Sequence, residues 1–150
     1  MKKTSRYILP FLISLIVIQG CKKDDTSPTD KTMEEILTSN PWRMDEIRFL
    51  QNNTPYYYKR GAAGNSMNFD TDVITFKSDK TGTYVGDGIT YTLTWDFTDV
   101  NKNKVKAIVN YPTAVTLNLE NISYTNTLLK YTEYYTRAGV NTLSSVSRTP

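Results

Sequence analysis

The chain reads as an all-β protein, a small antiparallel barrel or, alternatively, a β-sandwich of about seven or eight short strands, on three observations. Apolar and polar residues alternate at period two through most of the chain beyond Trp42, as they do in half-buried strands. Clusters of Gly, Asn and Asp separate these runs, and such residues favour turns. Thr and Tyr are abundant, with 11 Tyr, and both types suit a pleated surface with one wet side. Period two alone does not choose between barrel and sandwich.

The alternation is preceded by a helical signal. Thr32-Met33-Glu34-Glu35 has the spacing of a capping box, in which the Thr32 hydroxyl accepts from the Glu35 amide and the Glu35 carboxylate accepts from the Thr32 amide. Met33, Ile36 and Leu37 follow at helical spacing. Asn40-Pro41 ends this short helix, because Pro41 lacks an amide proton and disfavours a helical residue before it.

Residues 42–50 form the first strand, and the change of parity between Met44 and Ile47 predicts a bulge within it. Residues 51–71 read as a long loop that holds Tyr56-Tyr57-Tyr58 and the flexible stretch 61–64. A strand at 73–77, a turn at 78–82 and a return strand at 83–85 come next. The clearest alternation puts Tyr91, Leu93, Trp95 and Phe97 on one face, with Thr90, Thr92, Thr94 and Asp96 on the other. Residues 99–103 turn the chain into a strand at 104–110. Val115, Leu117 and Leu119 mark another strand, residues 121–126 a further turn, and 127–136 the strand after it. Tyr131 and Tyr135 fall on one face of that strand and Tyr134 on the other. A weaker strand spans 141–146.

Upstream of all this, Lys2, Lys3 and Arg6 precede an apolar run over residues 7–18, then Gln19, Gly20 and Cys21. A basic start, a short apolar stretch and a small residue before the cleavage point make a secretion signal. The run is shorter than the roughly 20 residues a spanning helix needs. Ile18-Gln19-Gly20-Cys21 resembles the lipobox of bacterial lipoproteins. That resemblance implies lipid on the Cys21 sulfur, cleavage before Cys21 and acylation of the new amino terminus, for example by palmitate. Two or more acyl chains anchor stably where one does not. The expected organisation is a signal peptide at 1–20, a polar tether at 21–31 and one β domain at 32–150. Lys22-Lys23-Asp24-Asp25 is similar to the surface-export signal of Bacteroidetes lipoproteins, which implies a lipid anchor in the outer membrane facing the cell surface; the alternative is an ordinary charged tether, which leaves periplasmic or external orientation open.

The order of features within the β domain resembles the lipocalin-like domains of Bacteroidetes lipoproteins. The resemblance rests on the short helix, the step from Leu37 to Trp42, the Phe76 to Thr83 turn, the aromatic strand 91–97 and the late strands between Leu117 and Tyr131. It implies an up-and-down barrel and transfers no ligand. The Asp79-Lys80-Thr81-Gly82 turn and the insertion at 51–71 depart from the pattern.

Composition excludes several chemistries. The net charge of +3 belongs to the leader: without Lys2, Lys3 and Arg6, 15 basic residues face 15 acidic ones. No basic patch persists to favour a nucleic-acid partner. Histidine is absent and Cys21 is the only cysteine, which excludes a Ser-His or Cys-His nucleophile pair, a His-based zinc site and a disulfide. No phosphate-binding or nucleophile-elbow motif occurs. Glu34/Glu35 and Asp70/Asp72 read as solvated charges. The expectation is a protein without enzymatic activity, metal or cofactor.

Aromatic residues give the candidate contacts. Tyr56, Tyr57 and Tyr58 cannot all face inward from one segment, and tyrosine suits surfaces that are apolar at one end and wet at the other. Trp42 and Trp95 sit within alternating strands and read as core, with Trp95 also a candidate at a barrel mouth. The expected function is a membrane-anchored binding module for a small hydrophobic or glycan ligand at the cell envelope, contacted by Tyr56, Tyr57, Tyr58 and Trp95. The alternative is an envelope-protein interaction or an accessory or inhibitor subunit, with a packed barrel and no small ligand. A polar hollow above about 300 Å³ favours the first and a dry core the second.

Overall fold

A computed structural model describes residues 31–125 and 127–150. The leader, the lipobox with Cys21 and the tether as far as residue 30 lie outside the described residues. The helix α1 (Met33–Thr38) starts at the expected capping box: the Thr32 amide donates to Glu35 Oε2 at 2.7 Å, and the Glu35 amide to Thr32 Oγ1 at 3.3 Å. Nine strands follow among the described residues: β1 (Trp42–Gln51), β2 (Thr54–Lys59), β3 (Val73–Phe76), β4 (Thr81–Gly86), β5 (Ile89–Phe97), β6 (Val105–Val109), β7 (Val115–Thr125), β8 (Leu128–Arg137) and β9 (Val140–Thr149).

All pairings are antiparallel. β3 to β9 pair in sequence order, and β1 closes the ring by pairing with β3 at Trp42 and Arg43 and with β9 from Arg43 to Gln51. The fold is therefore a closed eight-stranded up-and-down barrel with β2 as an extra strand, and the sandwich alternative is set aside. Closure removes the edges that an open sheet would expose. The bulge in β1 falls between Met44 and Glu46, which brings Trp42, Met44, Ile47 and Phe49 all to the inside.

Four expectations need correction. Tyr56 to Tyr58 lie in β2, a strand that pairs with the second half of β1. Its outer edge is covered by its own loop: Tyr57 N donates to Ser66 Oγ and Lys59 N to Asn65 Oδ1. Gly82 belongs to β4, where an added Cβ would sit 2.1 Å from Thr75 O, so the close approach of β3 requires glycine. β7 continues through 121–125 where a turn was expected, because a bulge between Glu120 and Ser123 absorbs the break in alternation. β9 is a full strand that seals the barrel and extends beyond residue 146.

The closed end of the interior is apolar. Trp95 packs edge-on against Phe76 and Phe97, and its indole N–H donates to Lys77 O and Thr81 O. Trp42 is fully buried and donates to Leu37 O at 2.8 Å, which ties α1 to the barrel. Glu34 binds Lys80 at 2.6 Å and Lys102 at 3.1 Å, pinning the same helix to two turns. Tyr91, Leu93, Trp95 and Phe97 share the inward face of β5 as expected.

Candidate functional site

Among the concavities on the barrel are a groove on its outer wall, a mouth at the end opposite α1, and a small chamber beneath the mouth. The outer groove follows from strand register. Outward-facing Pro55, Leu50, Leu143 and Tyr134 are directly paired, neighbour to neighbour, across β2, β1, β9 and β8. Leu50, Leu143 and Tyr134 are 51%, 56% and 52% exposed, large values for side chains of this size. Two residues along each strand the outward row is Tyr57, Arg48, Ser145 and Thr132, and two further on it is Lys59, Glu46, Ser147 and Lys130. The outer wall is thus apolar beside the mouth and charged towards α1. A groove of about 810 Å³ runs along it, its sides formed by Leu50, Pro55, Tyr57 and Leu143. Arg48 lies 5.2 Å from the centre of the Tyr57 ring, where cation and ring attract.

The mouth, about 190 Å³, is lined by residues from five segments, among them Asn68, Phe69, Tyr91, Tyr111, Tyr135 and Arg137. Arg137 lies 4.4 Å from the centre of the Tyr111 ring. Beneath is a chamber of about 60 Å³ that shares Phe69, Asp72, Tyr84, Tyr111, Tyr135 and Arg137 with the mouth and adds Glu133, Ser144 and Arg148.

A polar network occupies the waist of the barrel. Arg148, 2% exposed, pairs with Asp72 at 2.7 Å, and donates from Nε to the Tyr131 hydroxyl at 2.7 Å and from Nη1 to Trp42 O at 3.0 Å. The Tyr84 hydroxyl donates to the other Asp72 oxygen. Burial alone would lower the Arg148 pKa, but Asp72 beside it holds the guanidinium charged. Burial drives the Tyr84 and Tyr131 hydroxyls well above the ordinary range and pushes Tyr111 up to about 12. Glu133 differs from the rest. It is 8% exposed and faces the chamber with no hydrogen bond contributing to its pKa. Burial pushes its pKa up to about 7; Arg148 opposes the shift, and Asp72 adds to it.

The structure does not gather the sequence candidates into one site. Tyr56 and Tyr57 line the outer groove, Tyr56 stacked on Phe49 at 4.9 Å. Tyr58 is fully buried; its ring meets Phe69 and its hydroxyl donates to Asp70 at 2.5 Å, which holds the β2–β3 segment against β1. Trp95 lies in the closed-end core, away from the mouth lining. Cys21 lies outside the described residues. Sequence reasoning missed Glu133 and Arg148 and read Asp72 as a solvated charge, whereas Asp72 is 3% exposed and paired with Arg148 inside the barrel. For Glu133 a signal existed: it shares the parity of Leu129, Tyr131 and Tyr135, which face inward.

The residues present assemble no metal centre: no group of three or more acidic, cysteine or histidine side chains is placed to hold an ion among the described residues. No family model, no curated protein and no solved structure matches this chain.

Proposed function

We propose that the chain is a lipid-anchored envelope protein of the lipocalin-like kind, acting as a non-enzymatic binding module that takes a small hydrophobic ligand on its outer groove. The lipobox at Cys21 and the short helix leading into an eight-stranded barrel support the lipoprotein part of this reading. One observation carries the binding part: the groove of about 810 Å³ with an apolar row on its wall. Ligand pockets commonly span about 300–1,000 Å³ and are mostly apolar. The chamber and mouth inside the barrel are each smaller than this range. A glycan fits the groove less well, since Leu50, Leu143 and Pro55 offer no hydrogen bonds to sugar hydroxyls.

Titration with dodecanol and with glucose tests this, using the chain and a Leu50→Asp, Leu143→Asp variant. Dodecanol should bind the parent and lose about tenfold or more in affinity in the variant, since each buried methylene contributes roughly 0.8 kcal/mol. Glucose should bind neither. Equal dodecanol affinity in both proteins overturns the groove reading.

A second reading, a protein partner in place of a small ligand, is favoured by the continuity of the Pro55, Leu50, Leu143 and Tyr134 row over four strands. Exposed apolar patches with polar surroundings mark interaction sites. Failure of dodecanol to bind, together with cross-linking of the anchored protein to an envelope protein that the double variant abolishes, would select it.

A further inference from the structure

We propose that Glu133 and Ser144 hold the primary ammonium group of a small amine, which enters through the barrel mouth. This site is separate from the outer groove and stands or falls independently of it.

The argument starts from unmet bonding. Glu133 and Ser144 face each other across the β8–β9 register, and both line the inner chamber. Ser144 is 2% exposed and its hydroxyl has no hydrogen-bond partner; Glu133 is 8% exposed, and burial, Arg148 and Asp72 set its pKa with no hydrogen bond contributing. Buried polar groups are almost always hydrogen-bonded, and a buried charge is costly unless paired. Two adjacent groups left unpaired in one chamber therefore mark a place for a guest.

Charge selects the kind of guest. Arg148 is committed to Asp72, Tyr131 and Trp42 O, so it neutralises Asp72, and Glu133 has no ion pair of its own among the described residues. A cation completes the balance, and an anion would add a second negative charge to the chamber. An ammonium donates three hydrogen bonds and matches acceptors on Glu133 and Ser144. A quaternary ammonium donates none.

Size and rim narrow the choice further. About 60 Å³ admits roughly two waters' worth of atoms, so only the head group enters the chamber. The remainder lies in the mouth of about 190 Å³ among Phe69, Tyr91, Tyr111 and Tyr135, whose ring faces favour an apolar body and a nearby cation. Arg137, which lines both mouth and chamber with its guanidinium 4.4 Å from the centre of the Tyr111 ring, disfavours a second positive charge on the guest, which points to a monoamine.

The groups facing Glu133 are Arg148 on β9, Asp72 before β3, Tyr84 on β4, Tyr111 after β6, and Tyr131, Tyr135 and Arg137 on its own strand. Burial raises each of these tyrosines. Glu133, with its pKa near 7, is thus the group expected to gain or lose a proton between pH 6 and 8.

Calorimetric titration of the full chain with benzylamine, benzyl alcohol and benzoate tests the proposal. Benzylamine should bind about tenfold more tightly at pH 8 than at pH 6, with proton release at the lower pH, because only ionised Glu133 pairs with it. Benzyl alcohol and benzoate should be weaker by about tenfold or more, the worth of a charge-assisted hydrogen bond. Glu133→Gln should lose that preference and the pH dependence while keeping the native circular dichroism spectrum. Ser144→Ala should weaken binding a few-fold and keep the pH dependence. Benzyl alcohol binding as tightly as the amine, unchanged affinity in Glu133→Gln, or no heat from any probe would each overturn the proposal; the last would mean that the chamber holds water alone.

Discussion

Near α1 the barrel interior is filled by Trp42, Trp95, Phe76 and the leucines of β7 and β8, packed ring on ring and methyl on methyl. Towards the mouth, Asp72, Arg148, Glu133 and several tyrosines fill the same cross-section through charge and hydrogen bonds. Both regions obey one rule, alternate residues of every strand pointing inward. They differ in how completely each buried group is satisfied. At the closed end the two indole N–H groups, the most polar atoms of the tryptophans, each reach a backbone carbonyl. At the mouth end the Ser144 hydroxyl is buried without a partner, and Glu133, 8% exposed, faces the chamber with no hydrogen bond contributing to its pKa. A region with every group satisfied carries stability, whereas one with groups left open carries the capacity to bind.

The sharpest way to break this comparison is to empty the closed end. Trp95→Ala removes a 3% exposed ring from between Phe76 and Phe97 and takes one donor from the carbonyls of Lys77 and Thr81, which keep the backbone amides of Lys80 and Lys77. Large-to-small changes of this kind cost about 3–5 kcal/mol. Urea unfolding should show that loss, part of it from the Lys80 ammonium that lies 4.3 Å from the centre of the ring. A loss under about 1 kcal/mol would mean that the closed end is not the packed half.

At the mouth end the expected sign is opposite. Burial raises the Glu133 pKa to about 7 in the folded barrel, against about 4.3 for an unfolded glutamate. Below the unfolded value both states hold the proton, and Glu133 costs nothing. As pH rises from about 4 to 7 the unfolded chain releases its proton first, so folding stability falls. Above the folded value the full cost applies, about 3 kcal/mol from a shift of this order. Glu133→Gln removes that cost. The variant should match the parent near pH 4 and exceed it by about 3 kcal/mol at pH 8, read from paired denaturation curves. A variant less stable than the parent at pH 8 would show that the carboxylate has a partner after all.

The same contrast decides how much the sequence revealed. β5 was legible because its inward positions are Tyr91, Leu93, Trp95 and Phe97 and its outward ones threonines or Asp96. The capping box of α1 and the bulge of β1 were legible for the same local reason. β9 was only partly so. Its inward positions are Thr142, Ser144, Val146 and Arg148, while Leu143 points outward. A strand that seals a polar chamber reverses the hydrophobic pattern, and local alternation then underestimates it. β2 was missed because three consecutive tyrosines show no period, and its pairing with β1 is set by the Asn52-Asn53 turn, both of whose residues have positive φ. The Asp72–Arg148 pair joins residues far apart in sequence, so no local motif announces it. Sequence placed the candidate binding surface on Tyr56 and Tyr57, which do line the outer groove, but not on Leu50 and Leu143, whose outward orientation follows from barrel register.

The smallest effect is expected on the outer wall, which serves as the control for both interior regions. Leu50 and Leu143 are directly paired across β1 and β9, each more than half exposed, and their side chains lie outside the barrel. Substituting both by Ser removes apolar surface that folding leaves largely in water, so stability should change by less than about 0.5 kcal/mol at each site. Serine does lower strand propensity slightly, but both positions lie in central stretches held by hydrogen bonds on either side. Thermal unfolding should therefore barely move while binding of a hydrophobic fluorescent dye to the native protein falls. A large drop in melting temperature would mean that this row supports the barrel wall. Unchanged dye binding would place the accessible apolar surface elsewhere, and the groove proposed on the outer wall would have to move with it.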